Sequence, residues 1–244
     1  MTCKEIIECL YDLEDKEKVL FRQKKFGIVS NNALGIYHKD LNVIAKAIGK
    51  NNHLAIELFD SGIYEARLLC SKIYKPKDVT EDLMEYWVKT FENWEICDSF
   101  CMGLFSKSDF ALTKIFEWSK REPEFEKRAA FATLASYCMA DKTSENDVFE
   151  SFFVLLKEQA NDDRLYVKKA VNWALRSLGK RNSDLNNKAI AIAKVILDYD
   201  SKSAKWIAQN ALNELQKESL RLSDYPRAIY RKSIVKLDRK NYLK

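Results

Sequence analysis

Four Ala-containing segments recur along the chain: YEARLLCSKIY (64–74), EKRAAFATLASY (126–137), VKKAVNWALRSLG (167–179) and AKWIAQNALNELQ (204–216). Each opens around Lys, Arg or Glu and continues with small residues and Leu or Ile at helical core spacing. Their starts lie roughly 35–40 residues apart, or about twice that, the period of stacked helical pairs. One pair cannot bury its own apolar face, so such units are stable only against neighbours, and small side chains let the helices approach closely. The repeat therefore predicts an all-α chain built by stacking.

Composition agrees. The 244 residues include only 6 Gly and 3 Pro, too few for the tight turns of an antiparallel sheet protein. Helical spacing predicts helices at 3–24, 39–48, 51–59, 61–74, 79–91, 94–104, 108–121, 124–139, 145–160, 163–179, 184–198 and 201–216, with NNALGIYH (31–38) as a loop. The expected architecture is a HEAT-like α-solenoid, one domain over 1–244, with a basic concave cleft and a basic C-terminal tail from about 217.

The formal net charge is +5, and from Arg221 onward eight Lys or Arg face only Asp224 and Asp238. Such a tail is either simply solvated or contacts a polyanion. Six cysteines form no CxxC pair and only His38 and His53 are present, so neither a zinc site nor a cofactor is expected, and several Cys read as small core residues. The acid-studded start MTCKEIIECLYDLEDKEK is neither a signal peptide nor a membrane anchor. A cytoplasmic, nucleoid-associated monomer is the expectation.

In stacked pairs the second helix of each repeat lines the inner curve. The candidate second helices carry Arg128, Lys168, Lys169, Arg176, Lys180, Arg181 and Lys205, cations that would track a phosphate backbone or else be ordinary solvated positions. Trp94, Asp98 and Trp173 do not fit a purely electrostatic groove. The tryptophans could be core, and Asp98 a capping carboxylate. Yet Asp98 stands among Ile96, Cys97, Phe100, Cys101 and Met102, where a carboxylate needs a partner or a purpose.

The strings NWEICDS (93–99), KRAA (127–130) and VKKAVNWALR (167–176) together resemble the AlkD-like family of DNA alkylation repair glycosylases, over roughly residues 20–216. That resemblance implies a HEAT-like solenoid holding duplex DNA and hydrolysing the glycosidic bond of cationic N3- or N7-alkylated purines. It implies Asp98 as the catalytic carboxylate, Trp94 and Trp173 as aromatics against the deoxyribose, and Arg128 as a backbone-contacting arginine, with Arg176 just beyond the second tryptophan. Some relatives in this superfamily bind DNA without excising bases, so a non-catalytic binder of damaged or branched DNA is the alternative.

The chemistry is coherent with such a site. A cationic purine leaves as a neutral base and needs no general acid, and both histidines lie far from Asp98 in sequence. The sugar gains positive charge, which a carboxylate and electron-rich ring faces stabilise. No lysine adjoins Asp98 in the sequence, so a monofunctional reaction without a Schiff base is expected.

Overall fold

Seven helix starts among the described residues are fixed by side-chain caps. Thr2, Asp15, Asn51, Thr80, Asn93, Asn182 and Ser201 each accept a backbone N–H from the turn that follows, satisfying donors that a helix leaves unpaired. The computed structural model describes residues 1–226. Among them it contains fourteen α-helices: α1 (Cys3–Asp12), α2 (Lys16–Phe26), α3 (His38–Ile48), α4 (Asn52–Asp60), α5 (Tyr64–Ile73), α6 (Glu81–Val88), α7 (Trp94–Gly103), α8 (Ala111–Trp118), α9 (Glu124–Ala140), α10 (Asn146–Glu150), α11 (Phe152–Glu158), α12 (Leu165–Gly179), α13 (Ser183–Leu197) and α14 (Lys202–Leu215). No strand occurs among the described residues. The basic residues from Arg227 onward, part of the expected tail, lie outside them.

Two of the expected helices are each a pair. Residues 3–24 break at Leu13–Asp15, because the Asp15 N–H donates to Leu34 O at 2.8 Å while its carboxylate accepts from Lys18 N at 3.0 Å and starts α2. Residues 145–160 break at Ser151, whose hydroxyl donates to Val148 O at 2.9 Å; such back-bonding competes with the helical ladder. The stretch 31–38 is a loop up to His38, the first residue of α3. Gly35 there has φ +83°, and a Cβ would lie 2.3 Å from Asp15 O, so only glycine fits.

The chain divides into two compact units, Met1–Lys114 and Ile115–Lys244. In the first, α5 packs against α3, α4 and α7. Its core is aromatic: Phe59, Trp87, Phe91, Phe100 and Phe105 are buried and make ring contacts at centroid separations of 5.2–6.4 Å, the range of favourable ring pairs. In the second, α12 packs on α9, α13 and α14. Helix α9 is buried at every position from Lys127 to Ser136, so it is surrounded rather than amphipathic. Cys70, Cys97, Cys101 and Cys138 are buried, as small core residues. Among the described residues no helix is long and apolar enough to cross a membrane, and no three His, Cys, Asp or Glu gather as metal ligands would.

Candidate functional site

Helix α7 begins at a strongly held cap. Asn93 is 1% exposed, and its Oδ1 accepts from Glu95 N at 3.0 Å and Ile96 N at 3.2 Å and lies 3.0 Å from the Tyr64 hydroxyl oxygen. Its amide donates to Val29 O at 3.1 Å. The register of α7 follows from this anchor. Glu95, Ile96, Cys97, Phe100 and Cys101 turn inward, while Trp94, Asp98 and Ser99 are half-buried and Met102 is exposed. Trp94 and Asp98, four residues apart, therefore share the outward face. The indole is oriented by donating from Nε1 to Phe26 O, the last residue of α2, at 2.8 Å.

Both residues line a hollow of about 600 Å³ within the first unit, a ligand-sized volume. Its walls also carry His38, Lys50, Lys72, Glu95 and Lys107. Three lysines and an imidazole thus stand around two carboxylates. His38, Lys50 and Lys72 share the hollow of Asp98 although they are remote from it in sequence, because the packing of α5 on α3 and α7 brings them together, while Lys107 follows α7 directly.

Beneath the hollow lies a buried polar core. Arg22 is 4% exposed; it is hydrogen-bonded to Glu95, donates to Ile36 O at 3.4 Å and stands 3.7 Å from Glu65. The fully buried Glu65 accepts from the N–H groups of Leu34, Gly35 and Ile36 at 2.8, 2.9 and 3.3 Å. Glu95 accepts from the Tyr64 hydroxyl at 2.7 Å and faces His38 Nε2 at 3.4 Å. One guanidinium thus serves two carboxylates, and they respond oppositely. Burial raises the Glu65 carboxyl above its ordinary value. Burial would raise Glu95 too, but His38, Arg22 and Tyr64 outweigh it and hold it below. Burial also pushes the Lys72 ammonium below its usual range, opposed in part by Glu95.

In the second unit, Trp173 is half-buried on α12. The inward face of that helix is Val167, Ala170, Val171, Ala174, Leu175 and Leu178; Lys169, Trp173, Arg176 and Lys180 follow at helical spacing on the opposite stripe. The indole is thus at a surface and not deep between helices. The cations are largely committed. Arg176 is paired with Glu214, and Lys180 reaches the same carboxylate at 2.7 Å. Burial would raise the Glu214 carboxyl, but Lys180 and Arg176 hold it below the usual range. Lys168 is half-buried, with Nζ 5.7 Å from the Trp206 ring centroid. Lys169 and Lys205 are exposed, the latter 3.9 Å from Asp200.

Two expected phosphate contacts point inward instead. Arg128 is 6% exposed and donates to Tyr166 O at 2.6 Å, because α9 is enclosed by neighbouring helices. Arg181 is fully buried; it donates to Cys138 O and Asp141 O, both at 2.6 Å, and lies 3.6 Å from the centre of the Phe149 ring. Its role is to close the end of α9. Arg181→Ala is expected to cost about 3 kcal/mol of stability, since it strands buried carbonyls and the Asp141 carboxylate. DNA affinity of the folded protein should barely change. An unaltered urea midpoint together with weakened binding would return Arg181 to the interface.

A solved structure described as a new family of proteins related to the HEAT-like repeat DNA glycosylases with affinity for branched DNA structures superposes with a TM-score of 0.72. It is 18% identical, and the match covers 93% of this chain and 100% of that one. At this identity the likeness establishes the HEAT-like repeat fold. A designed armadillo repeat protein matches at a TM-score of 0.34 and 13% identity, over 73% of this chain and 92% of that one, too distant to bear on the fold. No curated protein matches the sequence. The family model described as DNA alkylation repair enzyme matches residues 6–215. Because that match spans most of the sequence, the chain belongs to the DNA alkylation repair enzyme family.

Proposed function

We propose that this protein is a DNA glycosylase that releases cationic N3- or N7-alkylated purines from duplex DNA. The observation that carries this reading is the half-buried Asp98 beside the outward indole of Trp94, in a hollow rimmed by cations. A purine alkylated at these positions departs as a neutral base without protonation. Positive charge then grows on the deoxyribose. The Asp98 carboxylate stabilises that charge and orients the water that attacks C1′. The Trp94 face excludes solvent from the same sugar and is itself attractive to a cation. Trp173, with Lys169 beside it on α12, offers an aromatic surface for the duplex.

The test is direct: methylated duplex DNA is incubated with the protein and the supernatant is analysed chromatographically. Free 7-methylguanine or 3-methyladenine above the spontaneous background supports the reading, and its absence at stoichiometric protein refutes it. Trp173→Ala should slow base release severalfold, while stability stays within about 1 kcal/mol of wild type, as for a surface substitution. A collapse of the thermal midpoint would mark Trp173 as a core residue instead.

A second reading is a non-catalytic binder of branched or damaged DNA. It is favoured by the Glu214 carboxylate, which takes up Arg176 and Lys180 and leaves the α12 stripe weakly cationic, and by the description of the similarly folded solved structure. Tight binding to a four-way junction with no base release would select it.

A further inference from the structure

The three lysines of the Asp98 hollow differ in what holds them. Lys50 donates to Lys72 O and Tyr74 O, both at 2.9 Å, and so finishes the carbonyls at the end of α5. Lys107 is exposed and reaches Gly103 O at 3.5 Å. Lys72 is half-buried on the wall itself, and among the described residues no hydrogen bond or ion pair engages its amine. Desolvation makes the neutral amine easier to reach, which is what a nucleophilic lysine requires.

We propose that Lys72 is a second reactive group of this hollow and that the protein cleaves DNA at abasic sites through a Schiff base, an activity separate from base release. The inference rests on the reading that a deoxyribose occupies the hollow beside Asp98. The neutral Lys72 amine adds to C1′ of the ring-opened abasic sugar; with one proton taken up from solvent, the C1′ oxygen leaves as water and the C1′–N bond becomes a protonated imine. A C2′ proton passes to the Asp98 carboxylate, and the electrons it leaves form the enamine. The C3′–O bond then breaks, with its electron pair departing on the 3′ phosphate. Solvent water hydrolyses the imine, restoring the amine and leaving an unsaturated aldehyde on the nicked strand. The substrate class is an abasic deoxyribose in duplex DNA, the product that base release itself makes.

The experiment uses a duplex carrying one preformed abasic site, the full chain and sodium borohydride, which reduces the imine to a stable secondary amine. The expected result is a protein–DNA adduct whose mass maps to the peptide containing Lys72. Lys72→Arg keeps the positive charge but not the nucleophile, and should reduce the adduct by about tenfold or more. No adduct with the wild-type chain, an adduct mapped to another residue, or an undiminished adduct in Lys72→Arg would overturn the proposal. Mapping is done on wild-type protein, so misfolding of the variant does not affect it. Because the abasic site is made beforehand, the two readings fail separately. Base release without an adduct sinks the lyase alone; an adduct without base release sinks the glycosylase alone.

Discussion

Asp98→Asn is expected to reduce release of 7-methylguanine from methylated duplex by about 10²–10³-fold, towards the spontaneous rate. Asparagine has nearly the same shape and keeps an oxygen acceptor, so the helix and the hollow should survive. Only the negative charge is lost. On the proposed reading that charge acts where the sugar becomes cationic, in a half-buried site where a fixed dipole or ion is worth more than in water. On the same reading, ground-state contacts to DNA fall to cations and aromatic faces, so duplex affinity should hold or rise slightly as a repulsion with phosphate disappears. The two measurements are chromatographic base release under single-turnover conditions and fluorescence anisotropy on undamaged duplex. Turnover equal to wild type would remove Asp98 from catalysis altogether.

Glu65→Ala should produce the largest loss of stability, about 3–5 kcal/mol, because it breaks a buried ion pair from one side. Three backbone N–H groups, those of Leu34, Gly35 and Ile36, lose their acceptor at once, and Arg22 keeps only Glu95 and Ile36 O. These groups lie where water cannot replace the missing partner, which makes an orphaned donor costly. The loop held by Glu65 leads directly into His38 and α3, part of the wall of the Asp98 hollow. The variant should therefore also release bases more slowly than its remaining folded fraction accounts for. Urea titration gives the first quantity and activity at low temperature the second. A midpoint shift equivalent to less than about 0.5 kcal/mol would mean that the loop is held by other contacts.

The helical order was readable because apolar spacing and caps act locally. Thr80 and Asn182 start their helices through their own side chains, whatever packs against them. The break at Asp15 was not readable, since its N–H is claimed by Leu34, nineteen positions on. The pairing of Trp94 with Asp98 was legible because a four-residue step returns to the same face of a helix. Nothing local joined Lys72 or His38 to that pair; they meet only where α3, α5 and α7 pack.

The arginines show the converse. Arg128 and Arg181 looked like surface cations, because charge on a helix is usually solvated. Helix α9 is enclosed along Lys127–Ser136, and Arg181 is drawn in by carbonyls at the end of that helix. Periodicity separates an inner from an outer face only when a helix has an outer face.

By itself the sequence determined the all-helical repeat and the aromatic–carboxylate step on α7, since both depend on spacing along one backbone. Tertiary structure alone decided which cations stay at the surface and which are buried inside. It also assembled the hollow around Asp98 from four separate stretches of chain. The reason is that burial and proximity depend on which helices touch, and no local pattern encodes that.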